Sequence, residues 1–565
     1  VISDGIQLPP TDPDAAIRAA LALDAPIDTL CLGGESLPPD LWLRPERIGY
    51  LAFAEQPAAM AVRIHTQNLG GNRLQVSLQD SEGGVLQTRE VSLAGRDSAA
   101  LRFEFPAPAT PGYYSYTMVT DPLPGELQTL NNRVTVGMTV LDSAIRVLFV
   151  EGLPHWDSKF FVNLLRKHES VRITELYRLG SGRSYRIDEE GERREGTEHS
   201  LFPRNVDELA EYDIVILGRR TEALLGGDGA ALLQQYVRGR GGTLLFARSK
   251  PWDEPLDPLV ELAPAEWGEA WTGRAFWQPT PAGVQAGLFG ERLPAPDSPV
   301  WRSLPPVTRT RDIRRIPAFT RVLAETVEGT KRVPLLLSRR YGRGHVLAFN
   351  AEGLWNWDFF PASREAREIY RDFWPLFIQW ALTHAEFPPG ADLALRLAEN
   401  PVPADTPVDV AVTARNAQVV LSEPLKVVLR REGATVRTVP LSPSPTEPGR
   451  WEGILPPSAP EVYEVAVSAT SLASAPATLE VLPPPSEETR RSADAHFLGR
   501  LSEATGGRIL SPAEPLNWRE MTPETPANQR EQPTWMPVWD HPLWLALILV
   551  PLATEWFLRR RNMLS

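Results

Sequence analysis

Residues 146–165 read RVLFVEGLPHWDSKFFVNLL, and this stretch decides how the middle of the chain folds. Four consecutive apolar residues, Val147 to Val150, are too few for a helix and fit a strand buried on both faces. Gly152 and Pro154 then end the extended run. Apolar residues return at helical spacing from Trp156, with Asp157 or Ser158 as a candidate N-cap. The order strand, turn, helix predicts an α/β unit. The turn carries His155 and Trp156 at the carboxyl end of the strand, where ligand crevices of open α/β sheets form. It is therefore the lip of a pocket or a packing device.

Moving outward, the same rhythm recurs. YDIVILG (212–218) and TLLFARS (243–249) read as strands, GAALLQQYVRGRGG (229–242) as the helix between them, and GRGHVLAFNAEGLWNW (342–357) as a later strand and turn. Glycine-bounded apolar runs between amphipathic helices predict a parallel sheet covered on both faces over residues 143–388. Within it, SGRSYRIDEEGERREGTEH (181–199) mixes charges of both signs and reads as a solvated hairpin rather than a binding arm.

The flanks read differently. Residues 46–142 and 389–485 alternate apolar and polar positions in short runs broken by Gly and Pro, as in RLQVSLQD and VDVAVTARN, and predict two immunoglobulin-like β-sandwiches. The 55 prolines of this 565-residue chain agree with β-domains and linkers. Residues 1–45 read strand, helix, strand, and 486–537 an amphipathic helix ending near Gly506 followed by a Pro-rich tether. Val1 opens inside a strand without an initiator Met, which predicts a piece of a longer chain. Residues 542–558 are apolar except for Thr554 and Glu555 and are followed by Arg559, Arg560 and Arg561. The run and its flanking tryptophans predict a transmembrane helix over 538–558 with a cytoplasmic tail, 559–565. Everything before it is then extracytoplasmic, outside the cytoplasmic (inner) membrane.

Composition excludes several functions. A net charge of −13 without a basic stripe gives no reason to bind nucleic acid. One cysteine, Cys31, excludes an intramolecular disulfide and a thiolate cluster, and eight scattered histidines without HExxH offer no zinc site. No cofactor is expected.

Taken together, RVLFVEGLPHWDSKFFVNLL, LAEYDIVILG, YVRGRGGTLLFA, GRGHVLAFNAEGLWNWDF and ATEWFLRRR resemble bacterial membrane-anchored proteins that carry a class I glutamine amidotransferase-like domain beside a von Willebrand factor A domain. The resemblance follows nearly the whole chain in domain order. It implies a flavodoxin-like, amidotransferase-like parallel sheet flanked by the two sandwiches, residues 1–45 being part of a von Willebrand A domain. It further implies a cell-envelope scaffold whose partners are von Willebrand A-domain proteins, a MoxR-type AAA+ ATPase and the lipid bilayer. VISDG is similar to the strand that gives such a domain one metal-binding aspartate, here Asp4. The companion DxSxS loop is missing, and one carboxylate does not make a magnesium site.

Amide hydrolysis by that fold needs a Cys nucleophile, a His to carry its proton and a carboxylate to orient the His. At the matching strand end stand Arg248 and Ser249, and the later loop has Glu352 without a neighbouring histidine, His345 lying on the preceding strand. ARSKP also lacks the flanking glycines of a serine elbow. The expectation is a pseudoenzyme with no catalytic residues. His155, Trp156, Ser249, Trp252, Glu352, Trp355 and Trp357 remain as cleft or partner contacts, the tryptophans lining a binding cleft or plugging a vacated one. Two alternatives stand beside the scaffold: an amidase or hydrolase built on Ser249, His155 and Glu352, and a module that binds envelope glycan or peptide.

Overall fold

A computed structural model describes residues 1–5, 13–22, 26–33, 39–69, 73–93, 96–126, 128–180, 182–197, 199–271, 273–286, 288, 299–308, 310–328, 331–359, 363–383, 385–416, 419, 421, 423–468, 472–483, 493–511 and 542–561. The chain divides into two compact units, one made of its two ends and one of the long middle.

In the first unit, strands Ile2–Ser3, Thr29–Cys31 and Ile509–Leu510 pair in parallel in that order. Helix Ala495–Thr505 starts on Asp494, whose carboxylate accepts from Phe497 N–H at 2.8 Å, and ends on left-handed Gly506 (φ 74°). Its Leu498 and Leu501 are buried with Leu30, and Ser502 Oγ meets Thr29 Oγ1 at 2.5 Å. The segment expected to lead away into a tether thus returns to complete the N-terminal strand–helix–strand unit. The tether itself, from residue 512, lies outside the described residues.

The expected transmembrane helix is corrected. Helix Pro542–Arg561 contains Pro551 and Glu555, and its last turn holds the three arginines. Its unbroken apolar stretch runs from Leu543 to Ala553, eleven residues, or about 16 Å at a helical rise, against a hydrocarbon core of about 30 Å. Among the described residues no helix is long and apolar enough to cross a membrane. The inner-membrane location, the extracytoplasmic orientation, the cytoplasmic tail and the bilayer as partner lose the anchor on which they rested.

The second unit is β-rich, and the described residues as a whole are 42% strand against 24% helix. Its first sandwich begins earlier than expected, with Asp40–Pro45. That strand pairs with Pro57–Gln67, which pairs with Ser98–Pro106, opposite a five-stranded sheet that includes Arg73–Gln79, Gly112–Thr120 and Arg133–Leu141. Alternate residues point inward, so Met60, Ile64 and Phe103 from one sheet share a core with Leu78, Met118 and Val136 from the other. A second pair of sheets between residues 393 and 482 buries Val410, Val412, Val427, Leu429 and Val465 in the same way.

Between them lies a ten-stranded sheet, and it corrects the expectation of a flavodoxin-like parallel sheet. Strands Val171–Gly180, Ile145–Glu151, Ile214–Leu217, Thr243–Phe246 and Gly344–Phe349 are parallel neighbours in that order. Antiparallel strands then extend both sides. The charged hairpin, Arg183–Ile187 and Arg193–Gly196, adds to one side. Lys331–Tyr341, Thr320–Glu328 and Gln278–Pro279 add to the other. The sheet is therefore mixed. Ile214–Leu217, Thr243–Phe246 and Gly344–Phe349 are buried at every residue, because helices cover both faces. Trp156–Arg166 and Arg364–Leu382 pack on one face through Phe161, Phe373, Trp374 and Phe377. Glu222–Arg240 packs on the other through Leu233, Tyr236 and Val237, ending at left-handed Gly241.

Candidate functional site: the carboxyl end of the sheet

The strand order reverses beside Ile145–Glu151, whose two neighbours come from successive later parts of the chain, and open α/β sheets place ligands at such reversals. Here backbone closes the gap. Gly152 N–H donates to Arg219 O at 2.8 Å, and a Cβ on Gly152 would lie 1.8 Å from Arg220 O. Gly218 is equally constrained, since a Cβ there would lie 2.4 Å from Glu151 Oε2.

Beneath this closure Glu151 is 2% exposed. Its Oε1 accepts from Arg219 N–H at 2.8 Å and from Leu153 N–H at 3.3 Å. Its Oε2 accepts from Ser158 Oγ and from the equally buried Arg248 Nη2. Burial pushes the carboxyl up from its ordinary value, opposed by the Arg248 guanidinium and these donors. Nε and Nη1 of Arg248 are buried without a partner among the described residues. The pair was signalled in the sequence by a charge of each sign ending an otherwise apolar strand, VLFVE and LLFAR.

Ser249 follows in the left-handed region (φ 54°), a conformation a non-glycine residue adopts only when its surroundings hold it. Ser249 N–H donates to Phe349 O, and its Oγ donates to Asn350 Oδ1 at 3.2 Å. Asn350 is fully buried; its Oδ1 also accepts from Arg311 N–H, and its Nδ2 donates to Arg311 O and Pro334 O, each at 2.8 Å. The serine thus faces an amide that ties three segments together, not a base.

The other candidates are placed apart from it. His155 is the N-cap of Trp156–Arg166, its Nδ1 accepting from Asp157 N–H at 3.2 Å, so the cap is the histidine and not Asp157 or Ser158. Asp157 instead holds the later loop, accepting from Gly353 N–H at 2.8 Å and Trp355 N–H at 2.9 Å. Glu352 pairs with Arg219 at 3.1 Å. His345 sits at the amino end of its strand, its Nε2 2.7 Å from Ser338 Oγ. No hydrogen bond or ion pair joins Ser249, His155 and Glu352 among the described residues.

The tryptophans divide into two pairs. Trp252 is buried edge-on to Phe246, and Trp357 is buried with its Nε1–H donating to Pro305 O at 2.6 Å. Trp156 and Trp355 lie outside, 5.9 Å between centroids, and with Phe160 and Phe359 they form a four-ring ledge. Trp156 is 54% and Phe359 61% exposed, and Lys159 Nζ stands 4.9 Å from the Trp156 ring. Phe160 and Phe359 were missed in the sequence, although their spacing from Trp156 and Trp355, four residues each, puts each pair on one helix face.

In the other unit, Asp4 Oδ1 accepts from its neighbour Ser3 Oγ at 3.4 Å, and no group of three metal-ligating side chains occurs among the described residues.

No family model matches the chain, and no curated protein matches it. Solved structures overlap it weakly. The CARDB domain of the PF1109 protein from Pyrococcus furiosus aligns at 20% identity over 20% of this chain and 95% of its own, with a TM-score of 0.17. A β-galactosidase from the haloarchaeon Halorubrum lacusprofundi aligns at 13% identity over 56% of this chain and 40% of its own, TM-score 0.23. Domains 4 and 5 of the S-layer protein SbsC align at 14% identity over 18% of this chain and 46% of their own, TM-score 0.12. Likenesses of this size carry no functional reading. Nothing in these comparisons supports the amidotransferase-like or von Willebrand A descriptions of the chain, and the membrane keyword falls with the helix described above.

Proposed function

We propose that the chain is a non-catalytic interaction protein that meets a protein partner through the aromatic ledge at the carboxyl end of its central sheet. One observation carries the reading: Glu151, Arg248, Ser249 and Asn350 are hydrogen-bonded inside, while four aromatic rings stand together at the rim, Trp156 and Phe359 exposed and Phe160 and Trp355 half-buried. Glu151, Arg248, Asp157 and Asn350 hold loops in place, and among the described residues at this end of the sheet no nucleophile is bonded to a base. Exposed clustered aromatics are what protein interfaces bury at their centres. The two β-sandwiches provide the rigid, multi-domain frame that such a role requires.

A photo-crosslinking residue at Trp156 should capture one defined protein in the native cell, a residue at exposed Val436 on the second sandwich should not, and Trp355→Ala should abolish the Trp156 product. Equal capture at both positions would defeat the ledge as the contact. The hydrolase reading draws on the left-handed backbone of Ser249, since strained residues collect at active sites. It requires ester or amide turnover that Ser249→Ala removes.

A further inference from the structure

A groove of about 690 Å³ lies between the carboxyl end of helix Glu222–Arg240 and the second sandwich, distant in the fold from the aromatic ledge and independent of it. Its volume is that of a small-molecule site, and its position between two domains is where such sites collect. Its charge sets it apart. Arg238, Arg240, Arg343 and Arg450 line it against Glu386 and Glu447, an excess of two positive charges in a chain whose net charge is −13.

The arginines are held unequally. Glu447 is shared, accepting from Arg343 Nη2 at 2.6 Å and lying 3.4 Å from Arg450 Nη1, and the Arg343 guanidinium holds its carboxyl below the usual range. Glu386 is engaged from outside by Arg396 at 2.8 Å. Arg240 is fixed by Asp207 at 2.8 Å and by Arg415 O at 3.1 Å. Arg238 is exposed; its guanidinium forms no ion pair or hydrogen bond among the described residues, and its charge helps hold the Glu261 carboxyl, after the Tyr341 hydroxyl, below the usual range. Three guanidinium groups pinned by ion pairs and one held by none therefore line a single space. The adjoining groove, which shares Ala414, carries Asp207, Glu208, Glu211 and Asp392 with Arg415, so an anion at this domain joint is repelled from one side and attracted to the other. Guanidinium forks match phosphate oxygens in geometry. The one aromatic lining residue, Phe387, is buried and lies 5.2 Å from the Arg415 guanidinium, leaving no exposed ring in the lining to stack a base.

We propose that this groove binds a compact, non-aromatic polyanion bearing phosphate groups, with Arg238 closing on it. Tripolyphosphate titrated into the whole chain by calorimetry at physiological ionic strength should bind saturably, one per chain. Arg238→Ala should weaken it about tenfold, the value of one charge-assisted hydrogen bond, while Arg238→Lys keeps part of the affinity. Because the Arg238 guanidinium forms no ion pair or hydrogen bond among the described residues, the near-ultraviolet circular dichroism of both variants should match the parent. Citrate, with carboxylates in place of phosphates, should bind more weakly, and Lys159→Ala, at the ledge, should change nothing. Absence of saturable binding, equal binding by Arg238→Ala, or tighter binding of citrate would each overturn the proposal.

Discussion

Two buried ion pairs sit at opposite ends of the same parallel strands, and they differ in how fully the arginine is used. At the amino end, Asp213 is paired with Arg415 of the second sandwich at 3.1 Å. Arg415 also donates through Nε to Ala391 O at 2.9 Å, through Nη1 to Ala210 O at 2.9 Å and through Nη2 to Pro388 O at 3.1 Å. Asp213 accepts in turn from Arg146 N–H at 2.9 Å. At the carboxyl end, Arg248 gives one nitrogen to Glu151 and keeps two buried and unpartnered. Burial pushes both carboxyls up, each opposed by its arginine. The first pair is a latch between domains in which every guanidinium nitrogen is employed. The second is a local clamp on a closed crevice, with donors to spare, and that difference separates an end that joins two domains from an end that holds only its own loops.

The largest effect should come from breaking the latch. Arg415→Met leaves a buried carboxylate and three carbonyls without their donor, and should lower stability by about 3–5 kcal/mol in denaturant unfolding. Asp213→Leu with Arg415→Met should recover little, because the carbonyls stay orphaned. Arg248→Met should cost a similar amount alone, and Glu151→Leu with Arg248→Met should recover more than the first double variant but fall short of the parent, because only the half-exposed loop donors Arg219 N–H, Leu153 N–H and Ser158 Oγ then lose their acceptor. Equal behaviour of the two double variants would erase the distinction.

Gly152→Ala probes the closure itself. Its Cβ cannot occupy the space of Arg220 O, so the loop must move, at about 1–3 kcal/mol. On the ledge, by contrast, Trp156→Ala should stay within about 0.5 kcal/mol of the parent, as an exposed site does. The smallest effect belongs to the first unit. There Asp28 accepts from Arg508 N–H at 2.7 Å, and that bond holds its carboxyl below the usual range. Its contribution is present above the unfolded value, about 3.9, and is lost as pH falls through the lower folded value. Amide exchange at Thr29 and Leu30 should therefore speed up in strong acid beyond the intrinsic change, and Asp28→Asn should remove that excess.

Much of the middle of the chain was legible because its strands announce themselves locally: VLFV, IVIL and TLLF are buried, and the helices between them carry matching stripes. What was not legible is what those strands meet. Thr320–Glu328 and Lys331–Tyr341 pair antiparallel and help turn a parallel sheet into a mixed one, a choice made by partners and not by local pattern. The return of Ile509–Leu510 to Thr29–Cys31 joins residues 480 apart, as does the bond from Arg508 to Asp28. Residues 542–558 read as a span because tryptophans and arginines frame them, although Thr554 and Glu555 already cut the apolar run. At the candidate site, the missing cysteine and histidine were plain in ARSKP and AFNAEG. The role of His155 as a cap was not, because Asp157 and Ser158 are the usual cap residues and only the contact of Asp157 with the 353–355 loop shows it occupied elsewhere.

The central claim is that the strand ends hold loops and carry no nucleophile. A fluorophosphonate probe that labels activated serines, applied to the whole folded chain and followed by peptide mass spectrometry, tests it most directly. Ser249 should remain unlabelled while a known serine hydrolase in the same tube reacts fully. Labelling of Ser249 that disappears on unfolding would contradict the account.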